Sequence, residues 1–223
     1  MSQISQPRGL LFDLDGTLVD TAPDLAEATN RLREYHGLAR LPYPTLRAKV
    51  SQGGAALVTL ALAIDADHPE HAAAREYLLS RYAEIVAEES RVFPGLETLL
   101  ARWQAAGLPW GIVTNKPRRF AEPLIAALGL APGGMICADD LPVRKPDPRP
   151  LLEAASAIGV APGECWYLGD HCRDMEAARA AGMPAIAVRY GYLDENDQPE
   201  NWPADRWFES PAELAAALTR LIR

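Results

Sequence analysis

The chain is short of cysteine. Cys137, Cys165 and Cys172 are an odd number without the paired close spacing of a zinc site, which fits reduced thiols in a reducing compartment rather than a disulfide framework. Cys137 and Cys165 read as core residues. Clustered Lys and Arg are also missing, and the formal net charge is −8, so nucleic acid is a poor partner and any bound phosphate needs a local site. No uncharged apolar run approaches the length of a membrane span, and the opening MSQISQPRG is polar with no apolar h-region. The expectation is a cytoplasmic protein, away from membranes, acting as a monomer or homodimer. There is no internal repeat, low-complexity segment or long linker.

What is present is enough apolar material for a full core: 223 residues at 48% hydrophobic content allow one domain of about 150 residues and a smaller one. Residues 8–12 (RGLLF) read as a buried strand, followed by a helix over about 21–36 that Gly37 stops. From there to about Ser90 only helical spacing occurs, with a break at Gly53-Gly54. Beyond Phe93-Pro94-Gly95 the rhythm changes. Helices at 96–106, 118–128, 148–158 and 173–181 alternate with strands at 109–113, 134–138, 165–168 and 185–188. A possible edge strand at 206–208 and a capped amphipathic terminal helix follow. This alternation is the pattern of a parallel sheet with crossover helices. The predicted fold is α/β, a Rossmann-like doubly wound parallel core formed by 1–19 and 91–223, interrupted by a helical insertion at 20–90.

In such sheets ligands sit at the carboxyl ends of strands. Asp13 and Asp15 follow the first strand, Thr114-Asn115-Lys116 the strand at 109–113, Lys145-Pro146-Asp147 the region after 138, and Gly169-Asp170 the strand at 165–168. Asp-Gly turns and helix caps explain one aspartate after the first strand, not two. Carboxylates gathered at one rim repel unless a cation lies between them, and oxygen ligands select a hard metal, Mg²⁺ first. A metal with Thr and Lys donors suits a phosphoryl group. One Asp can then accept the phosphoryl covalently while the other handles protons.

The strings DLDGTLVD, VTN, Lys145-Pro-Asp-Pro and GDHCRDMEAARAAG, in that order, resemble the four motifs of the haloacid dehalogenase-like phosphatases, and the helical insertion resembles that family's type-one cap. The resemblance implies Asp13 as nucleophile and metal ligand, and Asp15 as general acid/base offering its backbone carbonyl to the metal. It implies Thr114, Asn115 and Lys145 as phosphoryl binders, Asp170 as a direct metal ligand, Asp174 as a partner behind the ligands, Gly16 as a tight turn under the metal and Thr17 as a nearby hydrogen-bonding group. His171 is expected at the surface or behind the ligands, and Cys172 as a bystander.

Asp15 argues for phosphoryl transfer over halide displacement, whose leaving group needs no acid. Lys49 is the only lysine between Asp20 and Ser90, which disfavours Schiff-base cleavage of phosphonates. Transfer to water and transfer to a second sugar hydroxyl share one core, so a sugar phosphomutase remains the competitor. Arg47, Ser51, Gln52, Gly53 and Gly54 in the insertion, with Lys116, are the candidates for substrate contact, and Arg118 and Arg119 are further cations near the rim. The expected partner is a small phosphorylated metabolite. SQGGAALV, WGIVTNKPRRFAEPL and VRYGY followed by NWPAD resemble the branch acting on N-acetylmuramic acid 6-phosphate, with the phosphoglycolate phosphatases as the second reading.

Overall fold

The structure is a computed structural model that describes residues 6–194 and 197–222; the polar start at 1–5 and Arg223 of the terminal helical string lie outside them. In chain order the elements are β1 (Gly9–Phe12), β2 (Val19–Asp20), α1 (Ala22–Tyr35), α2 (Tyr43–Arg47), α3 (Gly53–Leu62), α4 (His71–Ile85), β3 (Arg91–Val92), α5 (Leu96–Ala105), β4 (Trp110–Val113), α6 (Arg118–Ala127), β5 (Met135–Ile136), α7 (Arg149–Ala157), β6 (Cys165–Gly169), α8 (Cys172–Ala180), β7 (Ala185–Val188), β8 (Arg206–Phe208) and α9 (Pro211–Thr219). The strands, the first helix and the helices from 96 to 181 appear within a residue or two of their sequence bounds, whereas the terminal helical string is helical only over Pro211–Thr219.

Six strands form one sheet in the order β5-β4-β1-β6-β7-β8, and every pairing is parallel. A parallel sheet must be covered on both faces, which is why β1, β4, β6 and β7 are buried along their whole length. Alternation within β1 assigns the faces: Leu10 and Phe12 join Trp103, Leu124 and Leu214 of α5, α6 and α9, whereas Leu11 joins Leu151, Met175 and Ala178 of α7 and α8. Cys137 and Cys165 lie in these cores.

The chain runs from β1 to β4 on one side and later returns to β6 on the other, so β1 stands at the point where strand order reverses. Crevices form at such points. Registers Phe12↔Ile112 and Phe12↔Leu168 level the strand ends there, bringing Asp13, Thr114 and Asp170 to one rim.

The helices between β2 and β3 build a third cluster from Leu25, Leu32, Leu57, Val58, Leu78 and Tyr82, which Phe120 and Tyr192 join from the sheet side. Sequence spacing missed the two short strands that bracket this segment. Val19 pairs with Val92 and Asp20 with Arg91, antiparallel, so chain exit and return lie side by side. Two-residue strands leave no periodicity to read.

Candidate active site

Asp13, Asp170 and Asp174 each offer a carboxylate oxygen, all within 4.8 Å of one another and all buried. Lys145, 2% exposed, lies among them, with Nζ 2.9 Å from Asp13 Oδ1 and 2.8 Å from Asp174 Oδ1. The ammonium also donates to the Val113 carbonyl (2.9 Å) and the Tyr167 hydroxyl (2.7 Å). Tyr167, on β6, is a buried member of the site that sequence reasoning missed, because a Tyr in an apolar strand reads as core. Asp174, expected behind the ligands, is fully buried and lies in the same cluster as Asp13 and Asp170. Its second oxygen accepts the His171 N–H, and the His171 ring accepts the Arg173 N–H, so the same pair caps α8. His171 is half-buried and stacks on Trp202; Cys172 Sγ contacts Glu176 Oε1 at 3.6 Å.

The charge balance of this cluster is poor. Burial raises the Asp13 carboxyl above its ordinary range, Lys145 opposing and Asp174 adding to the rise. Burial raises Asp170 as well, reinforced by Asp13 and Asp174. Burial also works against ionised Asp174, but Lys145 and Arg173 outweigh it and hold that carboxyl low. Two of three buried carboxylates thus resist ionisation for want of positive charge, and the donor set is all oxygen. That arrangement fits a hard divalent cation.

Around Asp170 the packing is close. Gly16 has φ +82°, and a Cβ there would stand 2.2 Å from Asp170 Oδ2, while one on Gly191 would stand 2.4 Å from the same oxygen. Thr17 Oγ donates to Asp170 Oδ1 (3.2 Å) and the Tyr192 N–H to Oδ2 (2.8 Å).

The Asp15 carboxylate stands apart from the three acids. It accepts from Thr21 Oγ at 2.5 Å and from Lys116 Nζ at 2.8 Å. Lys116 is 8% exposed, with its ammonium 4.7 Å from the ring centroid of Tyr82 on α4. The sequence reading had Lys116 as a substrate contact; here it faces an acid of the site. Thr114 is buried at the β4 end, its hydroxyl accepting the Lys116 N–H. Asn115, expected among the phosphoryl binders, turns its side chain to the lysine loop. Its amide donates to the Lys145 carbonyl (3.0 Å) and its oxygen accepts the Lys145 N–H (3.1 Å), so both ends fix the lysine loop.

Of the insertion residues named for substrate contact, Arg47, Ser51 and Gln52 meet the loop after β7. Arg47 donates to the carbonyls of Tyr190 and Gly191, each at 3.0 Å, and lies over the Tyr192 ring. Gln52 donates to Asp194 at 3.1 Å and Lys49 pairs with the same carboxylate. Ser51 Oγ contacts Asp170 at 3.5 Å and the Tyr192 carbonyl at 3.4 Å. Gly53 takes φ +82° where α3 begins, and Gly54 packs on Leu79. Loop cations with buried carboxylates and carbonyls within reach pair with them. Arg118 pairs with Asp140 and exposed Arg119 reaches Glu76 only at 4.0 Å.

Two further groups went unread in the sequence. Tyr192 accepts the N–H groups of Thr21 (2.6 Å) and Ala22 (2.9 Å) on its hydroxyl, tying the loop after β7 to the start of α1. Arg173 reaches the Ser51 carbonyl at 2.7 Å. A cation in the first turn of α8 runs against the helix dipole, which is the one signal that marked it.

The model of the haloacid dehalogenase-like hydrolases matches residues 7–182. The N-acetylmuramic acid 6-phosphate phosphatase of Pseudomonas aeruginosa is 43% identical over 217 residues, covering 96% of this chain and 96% of that protein. The phosphoglycolate phosphatase of Xanthomonas campestris pv. campestris is 44% identical over 214 residues, covering 93% and 95%. A solved structure described as a predicted phosphoglycolate phosphatase from Haemophilus somnus matches with TM-score 0.81 at 25% identity, covering 96% of this chain and 99% of that one. No helix among the described residues is long and apolar enough to cross a membrane.

Proposed function

The chain belongs to the haloacid dehalogenase-like hydrolases and is a phosphatase, and from that premise we propose that it hydrolyses N-acetylmuramic acid 6-phosphate in the cytoplasm through an aspartyl-phosphate. Asp13 is the nucleophile. Its contacts to the Leu14 N–H and Lys145 both fall on Oδ1, which makes Oδ2 the attacking oxygen in this reading. The bond from that oxygen to phosphorus forms as the ester P–O bond breaks, and Asp15 passes a proton to the departing alkoxide. Asp15 then takes a proton from the water that cleaves the acyl phosphate, and inorganic phosphate leaves. Lys145 and Thr114 bind the phosphoryl oxygens, Asn115 acting on them through the lysine loop. Asp13 and Asp170, with the Asp15 carbonyl, would hold Mg²⁺, which when bound neutralises phosphoryl charge. Asp174 orients Lys145. Residues 20–90 act as a cap over the core, excluding bulk water while the alcohol departs.

The observation that carries the substrate reading is a meeting of distant strings. SQGGAALV and VRYGY, both resembling the muramyl branch, touch across the rim through Ser51 and Tyr192, where a leaving group would lie. Proteins of that name in Pseudomonas aeruginosa and Pseudomonas putida are 43% and 41% identical to this chain, but a phosphoglycolate phosphatase at 44% keeps the second reading open. The test is phosphate release with Mg²⁺ from N-acetylmuramic acid 6-phosphate, 2-phosphoglycolate and glucose 6-phosphate, compared by kcat/KM. A hundredfold preference for the muramyl sugar supports the reading. Preference for phosphoglycolate transfers the assignment to that substrate, and isomerisation of a sugar phosphate without phosphate release overturns hydrolysis.

A further inference from the structure

The pairing of Lys116 with Asp15 has a consequence beyond substrate binding. A lysine placed at a rim to catch a substrate anion should offer its ammonium to the opening. Here the ammonium is buried, 2.8 Å from Asp15 Oδ1, while Thr21 Oγ holds the same oxygen from the start of α1. The Tyr82 ring lies 4.7 Å from the charge, contributed by α4 of the insertion. Asp15 itself retains only 19% of its side-chain exposure in that pair. A desolvated ammonium beside a carboxylate sets that carboxylate's rotamer far more firmly than a surface pair does.

We propose that Lys116 is a positioning residue for the proton-transferring Asp15, seated by the Tyr82 ring from the cap. Lys116 and Thr21 hold one oxygen of Asp15, so that the carboxyl group presents its other oxygen to the ester oxygen of the leaving group. Because the seat comes from α4, alignment of Asp15 depends on the cap lying against the core. This inference rests on the reading of Asp15 as general acid/base, and the experiment separates the two.

The protein's kcat and KM are measured for a sugar phosphate, whichever of the two tested above is turned over faster, and for p-nitrophenyl phosphate. An alkoxide needs a proton to leave; p-nitrophenolate, a stable anion, does not. For Lys116→Met the expected result is a fall in kcat/KM of about tenfold or more on the sugar phosphate, within the range of general acid catalysis, carried by kcat with KM little changed. On p-nitrophenyl phosphate kcat/KM should stay within about threefold. Tyr82→Leu, which removes the ring from the cap side, should separate the two esters in the same direction, and Tyr82→Phe should not. The leucine variant serves if Lys116→Met does not fold. Equal losses on both esters, or a raised KM at unchanged kcat on the sugar phosphate, overturn the proposal, the latter by making Lys116 a substrate contact. Asp15→Asn is the reference. If it too fails to separate the esters, the acid/base reading falls; if it separates them and the Lys116 and Tyr82 variants do not, only the positioning role falls.

Discussion

Asp170→Asn should make the metal-free protein more stable, and the structure gives the size of the effect. Burial, together with Asp13 and Asp174, raises the Asp170 carboxyl from 3.8 to about 7. In the folded state the group therefore binds its proton more tightly than in the unfolded chain, so the parent loses stability as pH rises from about 4 through about 7. Some three pK units at about 1.4 kcal/mol each give a penalty of about 4 kcal/mol at pH 8 and about 1–2 kcal/mol at pH 5. Asparagine removes the charge but keeps the shape: its oxygen accepts the Tyr192 N–H, and its NH₂ can donate to Thr17 Oγ. A gain of about 2–4 kcal/mol at pH 8, or roughly 5–10 °C for a chain of this length, is expected. The assay is thermal unfolding in EDTA at pH 5 and pH 8, repeated with Mg²⁺. Mg²⁺ at a hundred times its Kd should stabilise the parent by about 2.7 kcal/mol and the variant negligibly. A variant less stable than the parent in EDTA at pH 8, or a gain that does not grow between the two pH values, would refute the electrostatic account of the cluster.

Asp13→Asn should abolish phosphate release, because an amide is a poor nucleophile; turnover within about tenfold of the parent would remove Asp13 from that role. Lys145→Met removes the ammonium shared by Asp13 and Asp174 and leaves buried carboxylates unpaired, a loss of about 3–5 kcal/mol by urea denaturation, and an unchanged midpoint would contradict the shared pairing. Arg47→Ala cuts two bonds to the loop after β7 and leaves the Tyr190 and Gly191 carbonyls without them, so it should cost about 1–3 kcal/mol by urea denaturation, and an unchanged midpoint would contradict those bonds. EDTA should stop turnover and Mg²⁺ restore it; activity that survives full chelation would contradict the metal assignment.

Much of the core was legible because buried parallel strands are short apolar runs and their order follows from alternation with helices. GLLF, WGIV and AIAV carry that signal in themselves. The helical character of the stretch between was equally plain, since nothing from Gly37 to Ser90 alternates with period two. The ribbon of Val19–Asp20 with Arg91–Val92 was not legible, being two residues on each side and separated by the whole insertion. Lys145 could be read as a site residue from its turn, but its place between two specific acids could not.

The sequence by itself determined the strand ends at which Asp13, Thr114 and Asp170 stand, because strand length and the position of the first polar residue are local properties. Partnership across the rim is not local. Only the tertiary structure set Lys116 against Asp15 and Tyr82, turned Asn115 onto the Lys145 backbone, and tied Arg47, Lys49 and Gln52 to the loop after β7. Each of those side chains is polar and long or branched enough to serve several partners. Which one it takes is decided by the desolvated carboxylate or carbonyl that folding brings within reach, since leaving that group unpaired costs more than leaving a surface cation in water.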